Sequence, residues 1–158
     1  MFGKLHKLIE NAKALDENTI FIKLVSEQKT KDLILHLNRI EQLFKEGIDS
    51  DGKIAGVYSE FTEFINAGIT FSFEGESKRK IEGEPYLLFD SGFFYRSFNV
   101  RVYKDGFTIT ANDETEDGTE LARKFGRKIL GLTTQSTNEL AQNIRPKFVK
   151  ETRKQLFG

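Results

Sequence analysis

Between Phe98 and Ala111 the chain alternates with a period of two. Phe98, Val100 and Val102 interleave with Asn99, Arg101 and Tyr103. After Asp105-Gly106, Phe107, Ile109 and Ala111 interleave with threonines. Side chains two apart on a strand share a face, and Asp-Gly is a favoured centre for a two-residue hairpin turn. The pattern predicts an antiparallel hairpin pairing residues 98–104 with 107–111 around Asp105 and Gly106. Val102 is then expected opposite Ile109, and Val100 opposite Ala111. A one-residue slip would split the apolar set between two faces, so the register is constrained and the apolar face needs a cover.

Helical periodicity elsewhere supplies that cover. Leu5, Leu8, Ile9, Ala12 and Leu15 keep the spacing of one helix face, which predicts an amphipathic helix over residues 3–15. Asp16 is placed to cap a second helix, with Ile20, Leu24 and Gln28 on one side. Ile20-Phe21-Ile22 also fits a short strand; helix is preferred. Leu33, Leu37, Ile40 and Phe44 recur at four, three and four residues, the stripe of a helix with a buried face, and Gly47 is placed for its left-handed stop. Arg123, Lys124, Arg127 and Lys128 fall on a short helix closing at Gly131. Ser136 and Glu139 stand at capping-box spacing ahead of Leu140, Ile144 and Phe148. Pro146 is expected to kink or restart this last helix, because it removes an amide donor.

The intervening segments read as loops. Residues 47–59 carry three glycines and two aspartates, the chemistry of turns. In the Gly-, Glu- and Lys-rich stretch 66–84, Ile69, Phe71 and Phe73 alternate as a short strand, followed by an expected mobile tip at 75–83. Tyr86-Leu87-Leu88-Phe89 is short and apolar and ends at Asp90-Ser91-Gly92. Residues 112–120 hold five acids and no base and read as a solvated loop. Neither a repeat nor an interdomain linker interrupts the pattern. The expectation is one α+β domain over residues 1–158, with several helices packed on a small antiparallel sheet that contains the hairpin.

Composition narrows the function classes. The 24 basic and 24 acidic residues cancel, so the whole-molecule field does not recruit nucleic acid or an anionic membrane. With no cysteine, disulfides and thiolate metal sites are excluded. No apolar run approaches the ~20 residues a membrane helix needs, and the N-terminal residues lead into a helical pattern rather than a secretory signal. A cytoplasmic protein, or one carried inside a particle, is expected.

No chemistry-bearing constellation stands out. A calcium loop starting at Asp49 would need glycine at position 54, which is Ile54; one starting at Asp113 would end on Lys124 where a bidentate glutamate is required. His6 and His36 each lack a second ligand at helical spacing and read as ordinary surface or boundary histidines. Ser59, Ser91 and Ser97 lack the context of an activated nucleophile. No phosphate-binding glycine pattern precedes a helix, and no cofactor is expected. The one sharp charge feature is the end of the chain. There Arg145, Lys147, Lys150, Arg153 and Lys154 face a single Glu151. These bases suit a nucleic-acid backbone or an acidic partner. A solvated helix face, with cations at the helix's negative end, accounts for them more simply.

Asp90-Ser91-Gly92-Phe93-Phe94-Tyr95-Arg96-Ser97-Phe98-Asn99-Val100 followed by the hairpin resembles the tail-completion or neck proteins of tailed bacteriophages. Those proteins carry an Asp-Thr-Gly, an arginine, a Ser-hydrophobe pair and then a hairpin. The loop Gln42-Leu43-Phe44-Lys45-Glu46-Gly47-Ile48-Asp49-Ser50-Asp51-Gly52, with Tyr58-Ser59-Glu60-Phe61-Thr62, is similar to phage proteins of unassigned role in the same broad group. Phe125-Gly126 and Ile129-Leu130-Gly131-Leu132-Thr133 fit that pattern too. The likeness covers about residues 30–157. Ser91 stands where threonine is usual, and residues 1–30 and 66–84 have no counterpart.

The resemblance implies an α+β subunit without enzymatic activity that assembles as a ring and connects the DNA-filled head to the tail. Its partners would be copies of itself and neighbouring head, connector or tail proteins, with DNA only as channel contents and no membrane. It would occur in the host cytoplasm during assembly and then in the virion. Asp90, Ser91, Gly92 and Ser97 would build a structural turn, Asp90 capping a short helix through Gly92 or Phe93. The loops 47–59 and 66–84 and the basic C-terminus would make contacts, as would loop and terminal aromatics such as Phe61, Phe64, Phe71, Phe73 and Phe157. The acidic segment 112–120 and the basic end would supply unlike faces. A different reading of the same bases is a small nucleic-acid-binding or regulatory protein.

Overall fold

The computed structural model describes residues 2–112 and 121–158, so the acidic segment 112–120 lies outside the described residues except for Asn112. In chain order the elements begin with α1 (Phe2–Lys13), α2 (Glu17–Ser26) and α3 (Gln28–His36), which runs directly into a π-helical segment, Leu37–Glu46. Next come α4 (Glu60–Ile65), β1 (Phe71–Phe73), β2 (Glu76–Lys78), α5 (Phe93–Arg96), β3 (Asn99–Tyr103) and β4 (Gly106–Thr110). Then α6 (Leu121–Phe125), a 3-10 turn (Arg127–Leu130) and α7 (Thr134–Phe157) complete the order. The fold is α+β. Its described strands form two separate antiparallel pairs, β1–β2 and β3–β4, rather than the single sheet expected.

Local chemistry explains most boundaries. The Asp16 carboxylate accepts the Thr19 N–H at 3.1 Å and the Thr19 hydroxyl at 2.6 Å, which satisfies the open amides at the start of α2. Glu27 then leaves helical geometry at ψ 135°, so Gln28 opens α3 instead of continuing the α2 face. Gly47 ends the π segment at φ 66°, the left-handed stop expected there. A Cβ at Gly47 would lie 2.5 Å from the Pro85 Cβ, so space and backbone both demand glycine. Asp49 Oδ1 accepts the amides of Asp51 and Lys53, the turn chemistry expected of that loop.

The hairpin forms in a different register. Val100 faces Ile109, Val102 faces Phe107 and Tyr103 faces Gly106, so the two-residue turn is Lys104-Asp105 and the pairing is shifted by two residues. An even shift preserves the faces, and Val100 and Ile109 are both buried against the core. Neither turn residue takes a positive φ; Gly106, at φ 152°, absorbs the strain one position later, as the first residue of β4. The stretch 75–83 is also not one loop. Glu74 (φ 48°) and Gly75 (φ 87°) make a tight turn that folds β2 onto β1, and the Lys78 ammonium donates to the Lys45 carbonyl.

Two expectations for α7 are corrected. Its cap is Thr133, whose hydroxyl accepts the Ser136 N–H at 3.1 Å, so Ser136 sits inside the first turn. The helix also runs through Pro146 without a break. Proline leaves the Gln142 carbonyl without its usual donor, but both residues are exposed, so water can reach the site.

The core is aromatic. Phe44, Phe89 and Tyr95 meet edge to face, with ring centroids 5.3–6.0 Å apart, and Phe71, Phe73, Phe94 and Phe98 extend the cluster. Such contacts each add about 0.5–1.5 kcal/mol beyond area burial. The Tyr95 hydroxyl donates to the Leu87 carbonyl and the Leu87 N–H donates to the Tyr58 hydroxyl at 2.9 Å, so two tyrosines hold the backbone of one residue. Burial pushes both hydroxyls up from their ordinary titration range.

Candidate interaction surface

Inside the π segment, Asn38 and Gln42 are buried amides one turn apart. Asn38 donates to the carbonyls of Ile129 (3.1 Å) and Gly131 (2.9 Å). Gln42 donates to the Gly131 carbonyl (2.9 Å) and accepts the Thr133 N–H (2.9 Å). Together they fix residues 129–133 and with them the start of α7. The wide π turn brings both amides inward beside Leu37, Ile40, Leu43 and Phe44, leaving mainly Glu41, Lys45 and Glu46 toward solvent.

The predicted structural turn forms with different roles. Asp90 caps nothing: its exposed carboxylate lies 3.8 Å from the Lys80 ammonium. Gly92 occupies the cap position of α5 at φ 76°, and Ser91 Oγ accepts the Phe93 N–H at 3.4 Å. The Arg96 guanidinium returns to the Ser91 carbonyl at 2.9 Å. Ser97 does the joining: its hydroxyl donates to the Phe94 carbonyl (2.7 Å) and accepts the Asn112 N–H (2.9 Å). Continuing the register, Ser97 and Asn112 stand two pairs beyond Asn99 and Thr110, so this side chain closes the base of the hairpin.

A polar cavity of about 500 Å³ opens beside the π segment, with Glu41, Glu46, Asp51 and Glu139 in its wall. Two of these acids are engaged elsewhere: Glu41 pairs with Lys45 (3.0 Å) and His36 (3.2 Å), and Asp51 with Lys128. The Lys128 ammonium holds the Asp51 carboxyl below its usual range, the opposite of what a general acid needs. Among the described residues no group of three or more histidines and carboxylates is arranged to hold a metal ion.

The outward features lie on α4 and α7. None of the six residues of α4 is buried. Phe61 (70% exposed), Phe64 (76%) and Ile65 (57%) stand in solvent, joined by the exposed Val57, Ile69 and Ile81. Backbone bonds between Tyr58 and residues 83–84 fix the surrounding chain, and Glu63 accepts the Glu82 N–H at 2.8 Å. The helix itself starts from a Ser59 cap that accepts the Thr62 N–H at 3.3 Å.

On α7, Arg145, Lys150, Arg153 and Lys154 are exposed and form no ion pair among the described residues, whereas Lys147 pairs with Glu27. Glu151 pairs with Lys23 at 2.7 Å, and that ammonium lowers its carboxyl. Phe157 is 72% exposed. Of the five aromatics expected at the surface, Phe61, Phe64 and Phe157 are there; Phe71 is buried and Phe73 packs on the core. Sequence reasoning missed α4 as a helix, although Ser59 ahead of Glu60 and Glu63 is a start signal.

Fold and surface together define a class: an α+β protein whose distinctive exposed feature is apolar and suited to contact. Comparison with family models, curated proteins and solved structures gave no match.

Proposed function

We propose that this chain is a non-enzymatic assembly subunit of a tailed phage or phage-like particle, joining head and tail as a neck, connector or tail-completion component. The observation that carries the contact role is α4, a helix without a buried residue that holds two phenylalanines in water. Grouped exposed aromatics mark contact sites. The phage assignment rests on the resemblance around Asp90–Ala111. That segment is one continuous device here: the α5 turn, the Ser97 bridge and the hairpin. Among the described residues no helix is long and apolar enough to cross a membrane. Self-association as a ring, contacts with head and tail neighbours, and a life divided between host cytoplasm and virion belong to the same proposal. Particles produced without this chain should show filled heads and free tails by electron microscopy, and labelled chain should localise to the junction. Normally joined particles in its absence would overturn the reading.

The exposed cations of α7 favour a second reading, binding to a nucleic-acid backbone. Four phosphate contacts would give a log affinity against log salt slope of about −3.6. Binding by the free subunit with such a slope supports this alternative, and the absence of a salt-dependent shift rejects it.

A further inference from the structure

We propose that copies of this chain associate head to tail, the basic aromatic end of α7 in one copy seating on the acidic-rimmed apolar patch around α4 in the next. The inference deepens the assembly reading and rests on it.

The two surfaces are complementary in composition. Residues 57–69 and 81–85 contain Glu60, Glu63, Glu82 and Glu84 and not one lysine, arginine or histidine. Phe61, Phe64 and Ile65 stand at their centre. On α7, Lys150, Arg153 and Lys154 precede Phe157 by seven, four and three residues, so helical geometry groups the three cations with the ring. The neighbouring acid is occupied, since Glu151 pairs with Lys23. Helix α1 packs beside this end, Asn11 donating to the Leu156 carbonyl at 2.8 Å. An aromatic centre with a charged rim is the anatomy of a specific interface, and opposite charge steers the encounter.

A second copy is the occupant this chemistry selects, because each chain carries both halves. The halves are unlike, so a single contact of this kind is heterologous and leaves one half of each chain free for another neighbour. An isologous dimer centred on either half alone would set acid against acid or base against base. Neither half is covered within its own subunit, as the exposures of Phe64 and Phe157 show.

The cysteine-free sequence allows a direct test. Ala67→Cys, at the edge of the patch, and Gly158→Cys, beside Phe157, are made as separate proteins, mixed and joined with a short bifunctional thiol reagent. The mixed 67–158 product should exceed both like-with-like products several-fold. It should fall several-fold in about 1 M salt, where the screening length is ~3 Å, and be lost with Phe64→Ser, whose melting curve should match wild type because Phe64 is exposed. Products in the proportions of random collision, no product, or a mixed product indifferent to Phe64→Ser would each overturn the inference. Selective capture of added nucleic acid by α7, or of a different protein by α4, in place of the mixed product would do the same. The assembly reading is judged separately, on particles: heads and tails that stay apart without the chain uphold it even where cross-linking fails.

Discussion

Replacing Asn38 with alanine tests whether the buried amide pair fixes the start of α7. Asn38 supplies a hydrogen bond to the buried Ile129 carbonyl at 3.1 Å and one to Gly131 at 2.9 Å. Stripping a buried acceptor costs about 1–3 kcal/mol. The Gly131 carbonyl keeps its bond from Gln42, so that loss is smaller, about 0.5–1 kcal/mol. Against this, Asn38 Oδ1 is itself buried without a partner, and its removal returns about 1 kcal/mol. The net expectation is a loss of about 2 kcal/mol, or roughly 4–8 °C in Tm for a chain of this size. Asn38→Leu fills the space but still strips Ile129, so it should fall nearly as far; recovery in that variant would assign the loss to a cavity. Adding Gln42→Ala removes the second donor to Gly131, so the double variant should depart from additivity by about 0.5 kcal/mol or more. Urea melts with an unchanged slope are the assay. An Asn38→Ala variant within about 0.5 kcal/mol of wild type, or strict additivity with Gln42→Ala, would refute the reasoning.

Three further outcomes are expected. Gly47→Ala forces a left-handed alanine against Pro85 and should lose more than about 1 kcal/mol in the same melts. Ser97→Ala should destabilise by about 1 kcal/mol because it unties the hairpin base, while Asp90→Ala stays within about 0.5 kcal/mol; the reverse order would restore Asp90 as the cap. The Asp16 carboxyl is lowered by its bonds to Thr19. Its contribution to stability is therefore present above the unfolded-state value and lost as pH falls through the lower folded value. A Thr19→Val variant should lose part of the acid-side dependence of Tm below about pH 4, and identical profiles would reject a contribution from the hydroxyl bond.

Periodicity revealed the elements whose apolar residues decide the fold, and failed where other chemistry decides. The stripe Leu33, Leu37, Ile40 and Phe44 identifies a buried helix but is blind to its widening into a π turn. Asn38 and Gln42 carry no apolar signal and lie outside that stripe, although each adjoins a stripe or core residue, Leu37 and Leu43, and is buried. A hairpin's apolar alternation repeats every two residues, so it cannot distinguish pairings that differ by two. Only turn chemistry does, and Gly106 serves equally well at the first strand position. Asp90 was the obvious cap by residue type; Lys80, ten residues earlier, lies beside it instead.

The aromatics of residues 61–73 show why surface and core divide within one short stretch. Phe71 and Phe73 alternate on β1, so both point to one side. The Glu74-Gly75 turn folds β2 back, and that side meets Phe89, Tyr95 and the Arg39 guanidinium 5.4 Å from the Phe73 ring. Phe61 and Phe64 sit on a six-residue helix held by the Ser59 cap at its start and by Glu63, within it, to the Glu82 amide. So short a helix has little intrinsic stability, and it covers no core. Burying each ring would be worth about 1.5–3 kcal/mol, which the isolated subunit forgoes. A surface that keeps both rings exposed while fixing their backbone is preorganised, and preorganisation reduces the ordering cost of association. Under the proposed assembly role, the same hydrogen bonds that leave these phenylalanines exposed would favour a partner over collapse of α4 onto its own chain.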